Sequence, residues 1–402
     1  MSNSILTIDM ITRKSLEILE NNLVISRNVN RQYDDSFAVE GAKIGSTLRI
    51  RLPDRALVTD GAALQVQDDN EQYTTLTVSS QKHIGVNFTS AELTMQLDDF
   101  AERVLKPRVS QLASSVDADV ATAYKGIYNS VGTPGTTPAT SLVLLQAQQK
   151  LNEFATPMNP RYATVNPAAN AGLVEGLKGL FNPTGTISRQ FKNGMMGEGV
   201  LGLDEINMSQ SIVQHTTGVT PTAPIVATTV TTQGSTSLAI SFTSGSPTFK
   251  VGDVFTIGSV FAVNPQTRQT TGSLQQFVVT ADVTVSSGTT ATLTVSPAMY
   301  TSTNALATIN AFPASSAVLT FLGGSATAYP QNLIYHKDAI SLATADLILP
   351  TGVDMASRQV HNGISLRIVR QYDINNDRLP CRIDVLYGFA AIRPVTAVRL
   401  WG

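Results

Sequence analysis

The feature that most constrains this fold is a long, almost uncharged stretch in the second half of the chain. Within residues 216–330 lie only four of the 58 charged residues, namely Lys250, Asp253, Arg268 and Asp282. The stretch is rich in threonine and alternates between polar and apolar residues, as at 292–295. Alternation with a period of two is typical of half-buried β-strands. The sequence therefore predicts an all-β domain inserted into a host of a different type.

The flanking segments predict both helices and strands, so the expected fold class is α+β. Apolar residues recur at helical spacing over 7–22 and again over 89–131, where residues 89–92 form a capping box. We expect the first helix and the polar stretch over 28–37 to form a movable arm rather than core, because the polar stretch has few apolar anchors.

Two long hairpins are predicted from alternation. The first covers 46–89 and has His83 to Phe88 in its return strand. The second turns at 373–377, where the sequence Asp-Ile-Asn-Asn-Asp favours an Asx-rich turn between alternating strands. An isolated two-stranded excursion is marginal in water, so something must cover the first hairpin.

Composition excludes several classes of protein. The formal net charge is −2 and charged residues make up 14% of the chain, so no basic excess drives nucleic-acid binding. The single cysteine excludes an internal disulfide and any cysteine-based zinc site. No basic segment followed by an apolar core begins the sequence, and no apolar run reaches the ~20 residues that span a bilayer. The low charge is compatible with extensive protein contact or with a solvated Thr/Ser surface.

Two motifs imitate binding sites, and we interpret neither as one. Residues 197–202 match the dinucleotide pattern Gly-x-Gly-x-x-Gly, but a polar turn precedes them and a strand-like segment follows. Residues 373–377 imitate a calcium loop, yet Arg378 stands where that loop requires glycine. The four histidines lack metal-ligand spacing. We therefore expect no catalytic residues, no cofactor, no metal site and no enzymatic activity.

The remaining candidate site is a pair of oppositely charged clusters. One cluster lies on the first hairpin and the other near the start of the long helix; their members are Arg49, Arg51 and Arg55, and Asp98, Asp99 and Glu102. Both could be solvated charges. The functional alternative is that the arginines of one subunit contact the carboxylates of the next, which fixes register more than it adds affinity.

The order of these parts resembles the major capsid protein fold of tailed bacteriophages, which herpesviruses share. Residues 82–89 resemble the strand that runs from the extended loop of that family into its spine helix. Residues 363–400 resemble its peripheral-domain strands, and the insertion resembles the extra domain of the podovirus coat-protein branch. The resemblance implies an N-terminal arm, an extended β-hairpin loop, a long spine helix, and peripheral and axial domains with an inserted all-β, barrel-like domain.

This resemblance implies a division of the chain into six parts. They are the arm (1–37), the extended hairpin loop (38–88), the spine helix (89–131), an axial and peripheral α/β region (132–217), the inserted β-domain (218–328) and the returning axial and C-terminal peripheral strands (329–402).

The implied function is self-assembly into hexamers and pentamers of an icosahedral shell that encloses double-stranded DNA. The implied partners are further copies of the chain, a separate scaffolding protein, a portal protein and packaged DNA held by weak non-specific contact, with no membrane. The implied location is the virion capsid, assembled in the bacterial cytoplasm. The hairpin has no lysine over 44–81, so lysine crosslinking is not expected there. The alternative is a carbohydrate-binding or tail-associated structural β-protein.

Overall fold

The structure is a computed structural model that describes residues 8–31, 47–58, 61–62, 66, 71–87, 106–177 and 198–402. It divides into two compact units, each assembled from separate segments of the chain. Unit 1 consists of 1–50, 74–121 and 340–392, and unit 2 of 51–73, 122–339 and 393–402. The predicted α+β class is confirmed.

The described helices lie mainly before the insertion. In chain order they are α1 (Ile8–Asn22), α2 (Ile25–Asn28), α3 (Lys106–Ala121), α4 (Ser141–Glu153) and α5 (Pro167–Leu177), with 3-10 turns at Thr122–Gly126, Lys337–Ala339 and Pro394–Thr396.

The described strands continue to residue 400. In chain order they are β1 (Thr47–Arg51), β2 (Tyr73–Thr77), β3 (Ser80–Val86), β4 (Ser130–Val131), β5 (Arg161–Val165), β6 (Glu198–Val200), β7 (Leu203–Met208), β8 (Gln214–Thr216), β9 (Ile225–Val226), β10 (Ser235–Ser241), β11 (Thr248–Phe249), β12 (Val254–Val263), β13 (Thr270–Val279), β14 (Val283–Thr284), β15 (Thr290–Met299), β16 (Leu319–Phe321), β17 (Ala328–Pro330), β18 (Asn332–His336), β19 (Ile340–Ala345), β20 (Met355–His361), β21 (Ile364–Arg370), β22 (Cys381–Ala391) and β23 (Ala397–Leu400).

Unit 1 combines helix α3 with a sheet in the order β19-β22-β21-β20. The predicted hairpin is confirmed, since β21 and β22 pair antiparallel on either side of the turn at 373–377. Strand β3 also pairs antiparallel with β22, from Val86 opposite Cys381 to Ser80 opposite Tyr387. This pairing differs from the prediction, which placed His83 to Phe88 in the return strand of the first hairpin. A two-residue period predicts which face of a strand is buried, but not which strand is its neighbour.

The first hairpin instead pairs β1 with β2. Leu52 N donates to Gln72 O at 2.8 Å, and Ile50 and Leu76 are 2% and 0% exposed. The end of β2 comes very close to β22 before the chain continues into β3. A Cβ on Gly388 would overlap the carbonyl oxygen of Thr77, so only glycine fits there without a shift.

The N-terminal segment is part of the core of unit 1. In α1, Leu16 and Leu19 are 2% and 1% exposed. The Asp117 carboxylate of α3 accepts hydrogen bonds from Val24 N at 2.5 Å and from Ser26 N at 3.0 Å. The prediction of a movable arm is thus wrong for residues 8–31 within the subunit. The apolar face of α1 and a buried carboxylate anchor a segment whose polar composition suggested looseness; residues 32–37 lie outside the described part.

The long helix is shorter at its C-terminal end than predicted. Helix α3 ends at Ala121 and a 3-10 turn follows, whereas the prediction extended the helix to residue 131. Tyr124 and Ile127 are still buried, as the helical period required. Beyond them, Ser130 and Val131 pair parallel with Arg399 and Leu400, so sheet pairing replaces the last helical turns. Residues 89–105 lie outside the described part.

In unit 2, the host sheet has the order β4-β23-β18-β5-β7-β6. Helices α4 and α5 cover it, and their apolar residues form one core with the strands. Members of this core are Leu144, Ala147, Leu151, Ala163, Val165, Ala169, Leu173, Leu203, Ile206, Ile334, Val398 and Leu400. The two strands that follow the insertion, β23 and β18, lie between β4 and β5, which precede it.

The insertion forms a nearly closed, barrel-like sheet in the order β16-β12-β13-β15-β10-β9. An antiparallel bridge from Ile225 to Val318 joins its two ends. Leu293 and Val295 of β15 point into the core, while Thr292 and Thr294 are exposed, as the alternation predicted. Phe255 lies 5.8 Å from Phe277 between ring centroids; burying one such side chain contributes about 1.5–3 kcal/mol.

The insertion is packed onto the host within unit 2 rather than separated from it. Strands β8 and β17 pair antiparallel where the chain enters and leaves it. Tyr128 of the host packs with Val254 and Val278 of the barrel. The domain boundaries at 218 and 328 remain a prediction.

Candidate subunit interface

The hairpin arginines occupy different environments. Arg49 and Arg51 lie at exposed positions of β1. Arg51 Nη1 lies 3.1 Å from Glu71 Oε1, with the two side chains 77% and 56% exposed. An exposed ion pair of this kind is worth about 0–1 kcal/mol. Glu71 is not among the partners predicted from the sequence; the three proposed carboxylates, Asp98, Asp99 and Glu102, lie outside the described residues.

Arg55 is the half-buried member of this cluster. Burial lowers its pKa, and the positive charge of Arg393 lowers that pKa further, while the phenol of Tyr128 acts in the opposite direction. Burial in turn raises the pKa of Tyr128, which is 5% exposed. Arg393 was missed in the sequence, where nothing marks a residue so distant along the chain as a neighbour of the hairpin.

Strand β3 is fixed at its start by a polar cluster in unit 1. Lys82 Nζ lies 2.8 Å from Asp119 Oδ2 and 2.7 Å from Ser115 Oγ on α3. Tyr387 donates to the same Asp119 oxygen at 2.5 Å, and burial together with that carboxylate raises the pKa of the phenol. A shallow groove of about 390 Å³ runs beside this cluster, lined by Gln81, Lys82, His83, Ile84, Gln111, Leu112 and Ser115.

A fully buried carboxylate connects β3, β21 and β22. Asp384 accepts two hydrogen bonds from Arg367, from Nε at 3.0 Å and Nη2 at 2.6 Å. It also accepts one from Arg382 at 2.9 Å and one from Gln81 at 3.1 Å. The bidentate geometry makes this a strong, directional contact. It holds the strand that follows the first hairpin on the C-terminal sheet.

A buried chain of hydrogen bonds joins the insertion to the host inside unit 2. The Tyr124 hydroxyl lies 3.0 Å from His215 Nδ1, and His215 Nε2 lies 2.8 Å from Asp253 Oδ1. Arg399 donates to Gly252 O at 2.7 Å, and its Cζ lies 5.1 Å from the centroid of the Tyr124 ring. Burial lowers the pKa of Arg399 to about 9, so the guanidinium keeps its charge at neutral pH, with Asp253 as a nearby counter-charge.

A second polar contact reinforces that joint. Gln276 of β13 accepts hydrogen bonds from Ser130 N at 2.7 Å and Lys150 Nζ at 2.5 Å, and donates to Ser130 O at 3.1 Å. Asn264 donates to the carbonyl of Glu153 at 2.7 Å, at the end of α4. These contacts position the insertion on the host strands and helix of unit 2.

The motifs set aside in the sequence have structural explanations. Residues 198–208 form strand, turn and strand, with Leu201 and Gly202 at positive φ, so no helix begins where a phosphate would bind. In the turn at 373–377, the Asp373 carboxylate accepts hydrogen bonds from Asn375 N at 3.0 Å and from Asn376 Nδ2 at 2.7 Å. Among the described residues, no group of His, Cys, Asp or Glu has an arrangement that could hold a metal ion. No described helix has the length and apolarity needed to cross a membrane.

Comparison with known families decides the identity. The model of a family described as P22 coat protein, gene protein 5, matches residues 1–402. The chain belongs to this family. It is therefore a major capsid protein that forms a phage shell and resides in the virion capsid, as the resemblance implied, rather than the carbohydrate-binding or tail-associated alternative. No curated protein sequence matches the chain.

Solved capsid structures also resemble the chain. A chain from Mycobacterium phage Che8 is 12% identical, with a TM-score of 0.48 and coverage of 94% of this chain and 90% of that one. The capsid of the cyanophage P-SCSP1u is 11% identical, with a TM-score of 0.41 and coverage of 89% and 83%. The CUS-3 coat protein I-domain is 27% identical, with a TM-score of 0.20, and covers 26% of this chain and 99% of its own.

Proposed function

We propose that the chain assembles into the hexamers and pentamers of an icosahedral shell that encloses double-stranded DNA. Family membership over all 402 residues is the observation that carries this proposal. A separate scaffolding protein and a portal protein act with it in the bacterial cytoplasm, and packaged DNA contacts it weakly. Assembly proceeds through complementary surfaces and involves no catalysis, no cofactor and no metal.

The first hairpin supplies one of these surfaces in the proposal. Arg49, Arg51 and Arg55 of one subunit contact Asp98, Asp99 and Glu102 of a neighbour. The exposed position of Arg51 supports this, because a side chain that is 77% exposed is accessible to a second subunit. One exposed pair contributes only about 0.2–1 kcal/mol, but a shell repeats it at every equivalent contact.

The Arg51→Glu variant tests this surface against the contact within the subunit. We expect closed shells to be lost in negative-stain microscopy, while the melting temperature of the unassembled subunit changes little. Addition of Glu71→Arg rebuilds the local pair with reversed charges, and addition of Asp99→Arg rebuilds the proposed contact between subunits. Partial rescue by Asp99→Arg alone supports the proposal. Normal assembly of Arg51→Glu at moderate salt, or rescue only by Glu71→Arg, would contradict it.

A further inference from the structure

A lysine and a glutamine meet where the insertion joins helix α4 in unit 2. Lys150 Nζ lies 2.5 Å from the side-chain oxygen Oε1 of Gln276 on β13. The amide group of Gln276 is held at both of its ends by one residue of β4. Ser130 N donates to Oε1 at 2.7 Å, and Gln276 Nε2 donates to Ser130 O at 3.1 Å. The amide therefore presents one fixed orientation to the amine.

This contact places an amine beside an amide carbon. The C=O bond adds about 1.2 Å to the contact of 2.5 Å, so Lys150 Nζ lies at most about 3.7 Å from the amide carbon of Gln276. Groups whose reacting atoms are oriented and held about 3–3.5 Å apart react as if at a very high concentration. A small adjustment of the lysine side chain is enough to reach that distance.

The amine of Lys150 is available in its uncharged form. Burial lowers its pKa to about 8, and the negative charge of Glu153, one turn further along α4, acts in the opposite direction. The uncharged amine is the form that attacks a carbonyl carbon. Lys150 is therefore a nucleophile at mildly alkaline pH, where an ordinary lysine is almost entirely an ammonium ion.

We propose that Lys150 and Gln276 react with each other to form an isopeptide bond within the subunit. Nζ of Lys150 adds to the side-chain amide carbon, and the N–H of Ser130 stabilises the negative charge that develops on Oε1. The bond from that carbon to Nε2 then breaks, a proton moves from Nζ to Nε2, and ammonia leaves. The charge of Glu153 acts on Lys150, so its carboxylate can carry this proton. The products are a secondary amide and one ammonia, and no oxidant or other reactant is consumed.

The bond would be an internal brace between the insertion and the host. It closes a covalent loop from residue 150 to residue 276, so the unfolded chain loses conformational freedom. Released ammonia is diluted into the solvent, which makes the exchange of one amide for another effectively irreversible. The reaction takes place inside one subunit, so its test does not depend on which surfaces meet in the shell.

The first experiment follows the intact mass of freshly purified, unassembled subunits during incubation at pH 7, 8 and 9. We expect the loss of one ammonia per chain. The rate should rise about tenfold from pH 7 to pH 9 and then level off, because the uncharged fraction of an amine with a pKa of about 8 does so. Digestion with trypsin should yield a peptide that is uncleaved at Lys150 and joined to the peptide that begins after Arg268.

The second experiment compares two lysine variants. Lys150→Arg keeps a cation and a hydrogen-bond donor beside Gln276 but cannot form the bond, so it should lose no ammonia. Lys125→Arg is the matched control, because it removes an exposed lysine of the same unit and should react as the wild type does. Aged wild type should migrate faster in a denaturing gel and unfold at a higher urea concentration than fresh protein, whereas aged Lys150→Arg should match its fresh form.

Three results would overturn the inference. One is an unchanged mass of the folded wild type at the end of the incubation at pH 9, which means that the two side chains form only a hydrogen bond. Another is the same loss of ammonia from Lys150→Arg, which assigns the ammonia to a different residue. The last is a new carboxylate at position 276 without a joined peptide, which indicates attack by water instead of Lys150.

Discussion

Replacement of Asp253 by Asn should detach the insertion from the host more than any equally conservative change in the barrel. Asp253 is 5% exposed and accepts hydrogen bonds from Lys250 N at 2.8 Å and Gly218 N at 3.1 Å, in addition to His215. It is also the acidic group that stabilises the charge of the buried Arg399. Asparagine preserves the shape but removes the charge.

The expected loss is about 1.5–3 kcal/mol of unfolding free energy, which is the range for hydrogen bonds to a charged group. Trp401, the single tryptophan, is 4% exposed and follows β23, so its fluorescence during urea unfolding reports on the host sheet. Hydrogen exchange at Gly218 and Lys250 reports on the joint itself and should become faster.

Asp282→Asn is the matched control in the same barrel. Asp282 also accepts a backbone hydrogen bond, from Val251 N at 2.7 Å, but it is exposed and forms no ion pair with any residue that the structure describes. This variant should lose less than about 1 kcal/mol of unfolding free energy. The double variant Asp253→Asn with Arg399→Met should show a coupling of about 2 kcal/mol. Equal effects of Asp253→Asn and Asp282→Asn, or additivity in the double variant, would refute the electrostatic explanation.

Three further changes test other parts of the subunit. Asp117→Ala removes the carboxylate that caps α2, so we expect a loss of about 2–4 kcal/mol and faster hydrogen exchange over 8–31; unchanged exchange there would mean that apolar packing alone holds the segment. Burial lowers the pKa of Lys150 to about 8 from its ordinary 10.5. Below pH 8 the buried ammonium therefore lowers the free energy of unfolding, and this cost disappears as the pH rises toward 10.5. Wild type should therefore gain stability relative to Lys150→Met between pH 8 and 10 in urea titrations, and a pH-independent difference would argue against it. Burial also raises the pKa of Cys381 to about 11 from 9.0, so its reaction with a thiol reagent at pH 8 should be about 100-fold slower in the folded subunit than in urea, and equal rates would show an accessible thiol.

The sequence predicted elements whose pattern is local. Alternation in β15 and across β21 and β22 identified strands and their buried faces, because a pleated strand imposes a period of two. The scarcity of charge over 216–330 indicated the insertion, because a change in composition over a long stretch is visible whatever local structure the residues adopt. Family resemblance then supplied the capsid architecture.

Strand pairings and contacts that depend on the tertiary structure were not predictable from the sequence. Strand β3 pairs with β22 rather than with β1, although both partners satisfy its alternation. Arg393 and Tyr128 influence the pKa of Arg55, and Tyr124, His215 and Asp253 form a hydrogen-bonded chain beside Arg399, only because the fold brings distant segments together. The polar composition of the N-terminal segment concealed its burial, because one carboxylate from α3 satisfies its free backbone groups.

The interleaving of strands in the host sheet has a consequence for biosynthesis. Strand β5 is translated early, but one of its neighbours, β18, emerges only after the whole insertion, and β23 follows later still. During translation the apolar faces of α4 and β5 therefore stay uncovered until the later strands of the sheet have been synthesised. All strands of the barrel come from one continuous segment, so the barrel can form as soon as that segment has been synthesised. We expect the nascent chain to order its middle before its beginning, with the host exposed to aggregation until the last strand is released.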